Sequence, residues 1–345
     1  MSSLDNSKVL LIGGAGFIGH NLALKLRQQG REVCIVDSLA VNNINMFASS
    51  STKAVNRELY LWILNTRLQM LRDSGIELIV QDGRDYHAVA GVLASKRPHT
   101  VVHLAAVSHA NISNKDPYST FDHSLRTLEN ALDAARGIAE HFIFLSSSMV
   151  YGNFKQASVS EHEVCEPIGI YAALKYAGEK LVMAYEQVFD IPYTIVRPSA
   201  LYGERCVSRR VGQIFIENAI TGKPIQVAGD GGDRLDFTYI EDFCQGVSRV
   251  IACDAARNQI FNMTYGESRS LKELTCVLRE EFPDVEIEFK EKDKLTPDRG
   301  TLSVEKARQL MGYAPEFPLE VGYRKYIRWY REHYRAFERS RNGIS

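Results

Sequence analysis

Short wholly apolar runs alternate with stretches in which apolar residues recur at helical spacing. Val9–Ile12 is apolar throughout and runs into glycine, and a helical pattern follows over 17–29, stopping at Gly30. A second apolar run, 33–36, ends in Asp37. Further candidates for buried strands stand at 78–80, 100–104, 142–145 and 193–196, most of them separated by helical patterns. This alternation predicts βαβ units, right-handed crossovers and a parallel sheet covered on both faces, which is a doubly wound α/β fold. Between Ser38 and Gly75 the chain exceeds an ordinary strand-to-helix connection. Residues 54–71 carry apolar positions at helical spacing, so a helical insertion is expected over about 46–75. After Gly203 the regularity gives way to Gly222-Lys-Pro, Gly229-Asp-Gly-Gly-Asp and Pro297-Asp-Arg-Gly. One large domain over 1–200 and a smaller lobe over 201–345, interleaved with it, are expected.

With 345 residues, 45% of them hydrophobic and 24% charged, the chain can bury a sizeable core. Its net charge of −1 provides no global field for nucleic acid or an anionic membrane, so any anion must be held locally. The six cysteines lie far apart, with no C-x-x-C pair or metal-ligand spacing; they are read as reduced, mostly core residues, and no metal is expected. Residues 1–8 are short and polar, and no apolar run approaches the ~20 residues of a membrane span. A cytoplasmic protein is expected. The basic stretch 324–341 reads as a helix with a solvated face, followed by a frayed tail.

The candidate chemistry starts at the first strand-to-helix turn. Gly13, Gly16 and Gly19, with Phe17 and Ile18 between the last two, stand where missing side chains let a backbone approach a pyrophosphate and where a helix N-terminus offers N–H donors. The spacing is G-x-x-G-x-x-G, and glycines also serve simple tight turns. Asp37, at the end of the second strand, suits the ribose hydroxyls of an adenosine and would repel a 2′-phosphate, favouring NAD over NADP; its alternative role is a strand-end cap. Asp82, after the third strand, suits either the adenine amino group or an ordinary strand exit. The larger domain is therefore expected to be a Rossmann NAD-binding domain, with the lobe binding substrate.

Tyr171 and Lys175 lie at i and i+4 on a predicted helix and project from one face. A tyrosine is a poor base near neutrality unless an adjacent ammonium stabilises its phenolate. The competing reading is a packing aromatic beside a solvated lysine. Ser146-Ser147-Ser148 follows the run 142–145, at the strand end where doubly wound proteins place chemistry, and a hydroxyl there can orient a substrate oxygen.

These segments together resemble the extended short-chain dehydrogenases/reductases, specifically the nucleotide-sugar epimerase and dehydratase family, over nearly the entire length. The resemblance rests on Gly13-x-x-Gly16-x-x-Gly19, Asp37, Asp82, His103-Leu-Ala-Ala106, Leu145-Ser-Ser-Ser-Met-Val-Tyr-Gly152, Tyr171-x-x-x-Lys175 and Arg197-Pro, in that order. It implies that the catalytic hydroxyl stands four residues before the tyrosine of Val-Tyr-Gly, which is Ser147, with Ser146 and Ser148 in support and Ser148 near the substrate. It implies that Tyr171 takes a proton from a sugar hydroxyl while hydride passes to NAD. Lys175 would bind the nicotinamide ribose and lower the tyrosine pKa, and Ser147 would polarise the developing keto oxygen.

Family dehydratases usually carry an Asp-Glu pair directly after the catalytic hydroxyl; Ser148 and Met149 occupy those positions here, which favours C4 epimerisation over 4,6-dehydration. The segment from Gly229 to Ile240 resembles the one whose arginine holds the diphosphate, making Arg234 the first candidate, Arg299 the second, and Arg209 and Arg210 weaker ones. Ala200 and His123 stand where relatives often have asparagine, and Gly300 lies near the position that gates the sugar's C2 substituent. The resemblance thus implies a UDP-sugar 4-epimerase. Alternatives are another nucleotide-sugar dehydratase, decarboxylase, dehydrogenase or epimerase, or a non-catalytic NAD sensor. The segments 117–136 and 171–189 resemble the helix pair through which the family forms homodimers.

Overall fold

The computed structural model describes residues 8–48, 55–107, 110–292 and 297–341. Seven strands form its main sheet: β1 (Val9–Ile12), β2 (Val33–Asp37), β3 (Glu77–Val80), β4 (Thr100–His103), β5 (His141–Leu145), β6 (Tyr193–Arg197) and β7 (Gln259–Asn262). They lie in the order β7-β6-β5-β4-β1-β2-β3, and every neighbouring pair is parallel. This is the expected doubly wound Rossmann arrangement. The register places Ile12 beside both Val36 and His103, so the C-terminal ends of β1, β2 and β4 share one edge at the point where the strand order reverses.

The strands are apolar on both faces because both faces are covered. Leu11, Ile35 and Ile143 point into one core with the helices Phe17–Gln28, Arg57–Asp73 and Ile240–Ala252; Leu10, Val36 and Phe142 point into the other with Tyr86–Lys96, Thr127–Ala135 and Ile170–Phe189. Strand β7 carries little sequence signal: Gln-Ile-Phe-Asn has two polar ends, yet Phe261 and Asn262 are fully buried. The chain leaves the main sheet after β6 and returns to it at β7.

The expected insertion contains the short helix Ile44–Ala48 and the longer Arg57–Asp73, whose buried face is Leu59, Tyr60, Ile63, Leu64, Arg67 and Leu71. Its residues 49–54 lie outside the described residues, as do 1–7 and the tail 342–345. The expected helix over 117–136 is Pro117–Phe121, a π-helical turn Asp122–Arg126, then Thr127–Ala135. His123 therefore sits in a wide turn within the helix, a device common at functional sites.

Beyond β6, short strands pair outside the main sheet, including Ile225–Ala228 with Ile287–Lys290 and Arg234–Leu235 with Arg269–Ser270. The basic C-terminal stretch is one helix, Leu319–Arg341. It is not merely a solvated face: Tyr323, Tyr326, Ile327 and Tyr330 are buried, while Arg324 and Arg331 pair with Glu280 and Glu281. Cys34, Cys206 and Cys244 are buried and Cys276 is exposed. No helix among the described residues is long and apolar enough to cross a membrane.

Candidate active site

A cleft of about 710 Å³ opens along the C-terminal edge of the sheet and brings together residues from both halves of the chain. At one end it is lined by Gly13, Gly16, Phe17, Ile18, Gly19, Asp37 and Asp82, and at the other by Arg209, Arg210, Arg234 and Arg299. Ser147, Ser148, Tyr171 and Lys175 line the same cleft.

The glycine turn is shaped by close approach. Gly13 has φ +79°, and a Cβ there would lie 2.6 Å from the amide of Ala105; a Cβ on Gly19 would lie 2.4 Å from the carbonyl of Gly14. Gly16 differs: its added Cβ would meet nothing nearer than 3.4 Å, so the space before it is open. Gly16 begins the helix Phe17–Gln28 without a side-chain cap, leaving first-turn amides available to an anion.

Asp37 accepts the amide of Ala15 at 2.9 Å and that of Leu39 at 2.7 Å, one on each carboxylate oxygen. Each oxygen keeps a further lone pair. Burial pushes this carboxyl above its ordinary range, while the two amides oppose the shift. An open glycine cradle beside a carboxylate fits a dinucleotide whose adenosine ribose carries free hydroxyls. Asp82 faces the same end, but its carboxylate is clasped by Arg84 at 2.6 Å, which holds its pKa below the usual range.

Lys175 and Tyr171 are presented by Ile170–Phe189, Tyr171 half-buried and Lys175 buried. The Lys175 ammonium donates to the carbonyl of Leu145 at 2.6 Å, which leaves further donors for the cleft. Burial lowers its pKa to about 8, while the charge of Glu179 opposes the shift. Ser147 stands at the end of β5 in extended backbone, and its Oγ accepts the amide of Met149 at 3.2 Å. Its proton remains available for donation to another oxygen.

Behind these residues runs a buried network that sequence reasoning missed. Glu179 accepts Ser146 Oγ at 2.5 Å and pairs with Arg197 at 2.6 and 2.8 Å; Arg197 also donates to Tyr151 Oη, which donates to Asn262 on β7. The available signals were Glu179 one turn after Lys175 and an arginine ending a buried strand. Breaking such a buried pair on one side typically costs about 3–5 kcal/mol.

The arginines at the far end differ. Arg234 is exposed and donates to Ser268 through Nε at 3.0 Å and Nη2 at 2.5 Å. Arg209 donates to Tyr60 Oη at 3.2 Å and lies 3.5 Å from Glu217. Arg299 Nε is buried without a hydrogen-bond partner among the described residues, and burial together with the Arg210 charge lowers its pKa to about 10. A buried, unanswered guanidinium donor beside a second guanidinium is a site prepared for an anion.

The profile of the NAD dependent epimerase/dehydratase family matches residues 9–264. An uncharacterized UDP-glucose epimerase of Bacillus subtilis is 27% identical, over 91% of this chain and 95% of that protein. A dTDP-glucose 4,6-dehydratase of an Actinoplanes species is also 27% identical, over 94% of this chain and 98% of that one. Among solved structures, a UDP-glucose 4-epimerase of Thermotoga maritima with UDP-glucose superposes with a TM-score of 0.82 at 26% identity, covering 94% and 99% of the two chains.

Proposed function

Because the chain belongs to the NAD dependent epimerase/dehydratase family, we propose that it is an NAD-dependent nucleotide-sugar epimerase that inverts C4 of a UDP-sugar through a transient 4-keto sugar. The observation that carries this reading is the single cleft: a glycine cradle at one end, Ser147, Tyr171 and Lys175 in the same wall, and the unanswered Arg299 donor at the other.

In this reading Gly13, Gly16 and Gly19 hold the pyrophosphate of NAD, and Asp37 holds the adenosine ribose. A nicotinamide held there supplies the hydride acceptor. Tyr171 takes the proton of the C4 hydroxyl as the C4–H bond breaks, and returns it when the ketone is reduced from the other face. The Lys175 ammonium stabilises the Tyr171 phenolate and reaches the nicotinamide ribose with donors that Leu145 does not use. Ser147 donates to the oxygen that becomes a carbonyl. Arg299, with Arg234, Arg209 and Arg210, answers the diphosphate and orients the sugar toward Tyr171. Elimination of water would need an acid and a base on the neighbouring carbons, and Ser148 and Met149 supply neither.

The helices Pro117–Phe121 and Ile170–Phe189 expose Tyr118, Phe121, Val188 and Phe189, which supports a homodimer of this chain across that face. The deciding experiment incubates purified protein with UDP-, GDP-, CDP- and dTDP-sugars, with and without NAD, and follows products by NMR. A C4 epimer of a UDP-sugar is expected. Loss of water, loss of carbon dioxide or net oxidation would replace this reaction with another of the family, and no turnover of any sugar would point to a sensor.

A further inference from the structure

The proposed chemistry leaves the inserted helix Arg57–Asp73 without a task, yet this helix buries a whole guanidinium. Arg67 is 1% exposed; its Nε donates to the carbonyl of Arg205 at 2.8 Å, its Nη2 donates to the same oxygen, and its Nη1 is buried without a partner among the described residues. Two turns earlier on the same face, Tyr60 accepts Arg209 Nη1 and Gln213 Nε2, both at 3.2 Å, and donates to Glu217 at 2.8 Å. The inserted helix thus grips both ends of the segment 205–209, which leads into the arginine end of the cleft. Arg205 and Arg209 adopt left-handed backbone, with φ of 63° and 51°. Non-glycine residues resist this conformation, so these contacts, rather than local preference, impose the shape of the segment.

At the first of these grips, the side chain of Arg205 reaches toward the glycine turn. Its Nε donates to His20 Nε2 at 2.9 Å and its Nη2 to Asn21 Oδ1 at 2.6 Å. A guanidinium only donates, so His20 Nε2 carries the lone pair and the ring proton sits on Nδ1, which donates to the carbonyl of Gly16 at 2.8 Å. Asn21 in turn donates to the carbonyl of Phe17 at 2.9 Å. Arg205 therefore reaches, through one intermediary each, the residue that forms the open cradle and its neighbour. None of Tyr60, Arg67, Arg205 or His20 lines the cleft.

We propose that the inserted helix is a strut coupling the two ends of the cleft: through Arg67, Arg205 and His20 it ties the glycine turn to the arginine-bearing segment, so that NAD bound at one end strengthens binding of a nucleoside diphosphate at the other. These are positioning residues, and the inference rests on the functional reading above. UDP is titrated calorimetrically into NAD-free and NAD-saturated protein, for wild type, Arg205→Ala and Arg205→Lys. Arg205→Ala removes the links to His20 and Asn21 and leaves the backbone carbonyl for Arg67.

In wild type, NAD should tighten UDP by about 5- to 150-fold, and UDP should tighten NAD by the same factor. Arg205→Ala should bring that ratio close to one, and Arg205→Lys should restore part of it. His20→Gln should lower the ratio in the same direction and serves if Arg205→Ala fails to fold. A merely structural Arg205 would lower the melting temperature and both affinities while preserving the ratio, which overturns the proposal. A wild-type ratio of one overturns it as well. If UDP or NAD does not bind wild type at all, the functional reading falls and the strut falls with it.

Discussion

At one end of the cleft, Gly13, Gly16, Phe17, Ile18 and Gly19, with the Asp37 carboxylate on the adjacent strand, form the surface proposed to hold NAD, and its shape is set by glycine backbone. At the other, Arg209, Arg210, Arg234 and Arg299 arrive from separated segments and present side chains. The first surface depends on what is missing, since the Cβ positions of Gly13 and Gly19 are already occupied by neighbouring backbone. The second depends on what is added, and its members range from Arg234, satisfied by Ser268, to Arg299, whose Nε is satisfied by nothing described. A backbone-made site should therefore fail through crowding, all at once, while a side-chain-made site should fail by degrees. The residues proposed to react stand between the two.

The sharpest separation comes at that seam. Tyr171→Phe deletes one hydroxyl and should lower turnover of the best substrate by about 100- to 10,000-fold, with NAD binding and folding nearly unchanged. Near wild-type kcat would return Tyr171 to a packing role. Next in size is Gly19→Ala, whose methyl would collide with the Gly14 carbonyl. Overpacking of this kind costs about 1–3 kcal/mol, so NAD affinity should fall by about 5- to 150-fold while the melting temperature drops. Unchanged NAD affinity in calorimetry would show that the turn can relax, and the contrast with the arginine end would lose its basis.

Arg299→Met should then weaken UDP by roughly tenfold, the worth of about one charged hydrogen bond, and leave NAD binding of the UDP-free protein unaltered. A loss of NAD affinity instead would merge the two ends into one site.

Smaller still is the pH dependence of Lys175, where two signs can be checked. As pH rises through about 8 the ammonium is lost, so NAD affinity should decline severalfold between pH 7 and 9.5, and Lys175→Met should show a flat profile. Stability of the ligand-free protein should move the other way. The folded pKa lies below the unfolded value near 10.4, so the unfolded chain holds more protons between those values and stability rises with pH there. Urea midpoints for wild type and Lys175→Met at pH 7.5 and 10 test this; a wild-type midpoint that falls relative to the variant would reverse the sign. Last, Tyr118→Asp should shift a dimer toward monomer by light scattering while leaving the melting temperature of the monomer nearly unchanged. A wild-type protein that is already monomeric at micromolar concentration removes the proposed dimer face.

What the sequence made legible follows the same division. The main-sheet strands β1–β6 and the glycine turn were readable because each is local: a continuous apolar run, or glycines whose spacing reflects close approach of the backbone. The fold class and the family followed from their order. Strand β7 was not readable, since its burial comes from β6 and from Asn262 meeting Tyr151, a partner 111 residues earlier. The π-helical turn at His123 was hidden for a similar reason, because ordinary helical spacing continues on either side of it. Glu179 with Arg197 and Arg67 with Arg205 were hidden because a charge in sequence looks solvated until the fold shows what surrounds it. The same holds for the C-terminal helix, whose tyrosines outweigh its arginines in deciding where it packs.

The return of the chain to the main sheet at β7 has a consequence for synthesis on the ribosome. After β6 emerges, some sixty residues must follow before its partner does. At about 5–20 residues per second, that leaves an apolar strand with one bare row of amides and carbonyls for roughly 3 to 12 s. During that interval the nascent chain offers other chains a template that the finished protein never shows. Translation pauses or truncations between 200 and 259 should therefore feed aggregation far more than equal losses after residue 262. Pelleting of chains stopped at 255, just before β7, against chains stopped at 268, just after it, measures this, and equal solubility of the two would show that the edge is protected by something other than its final neighbour.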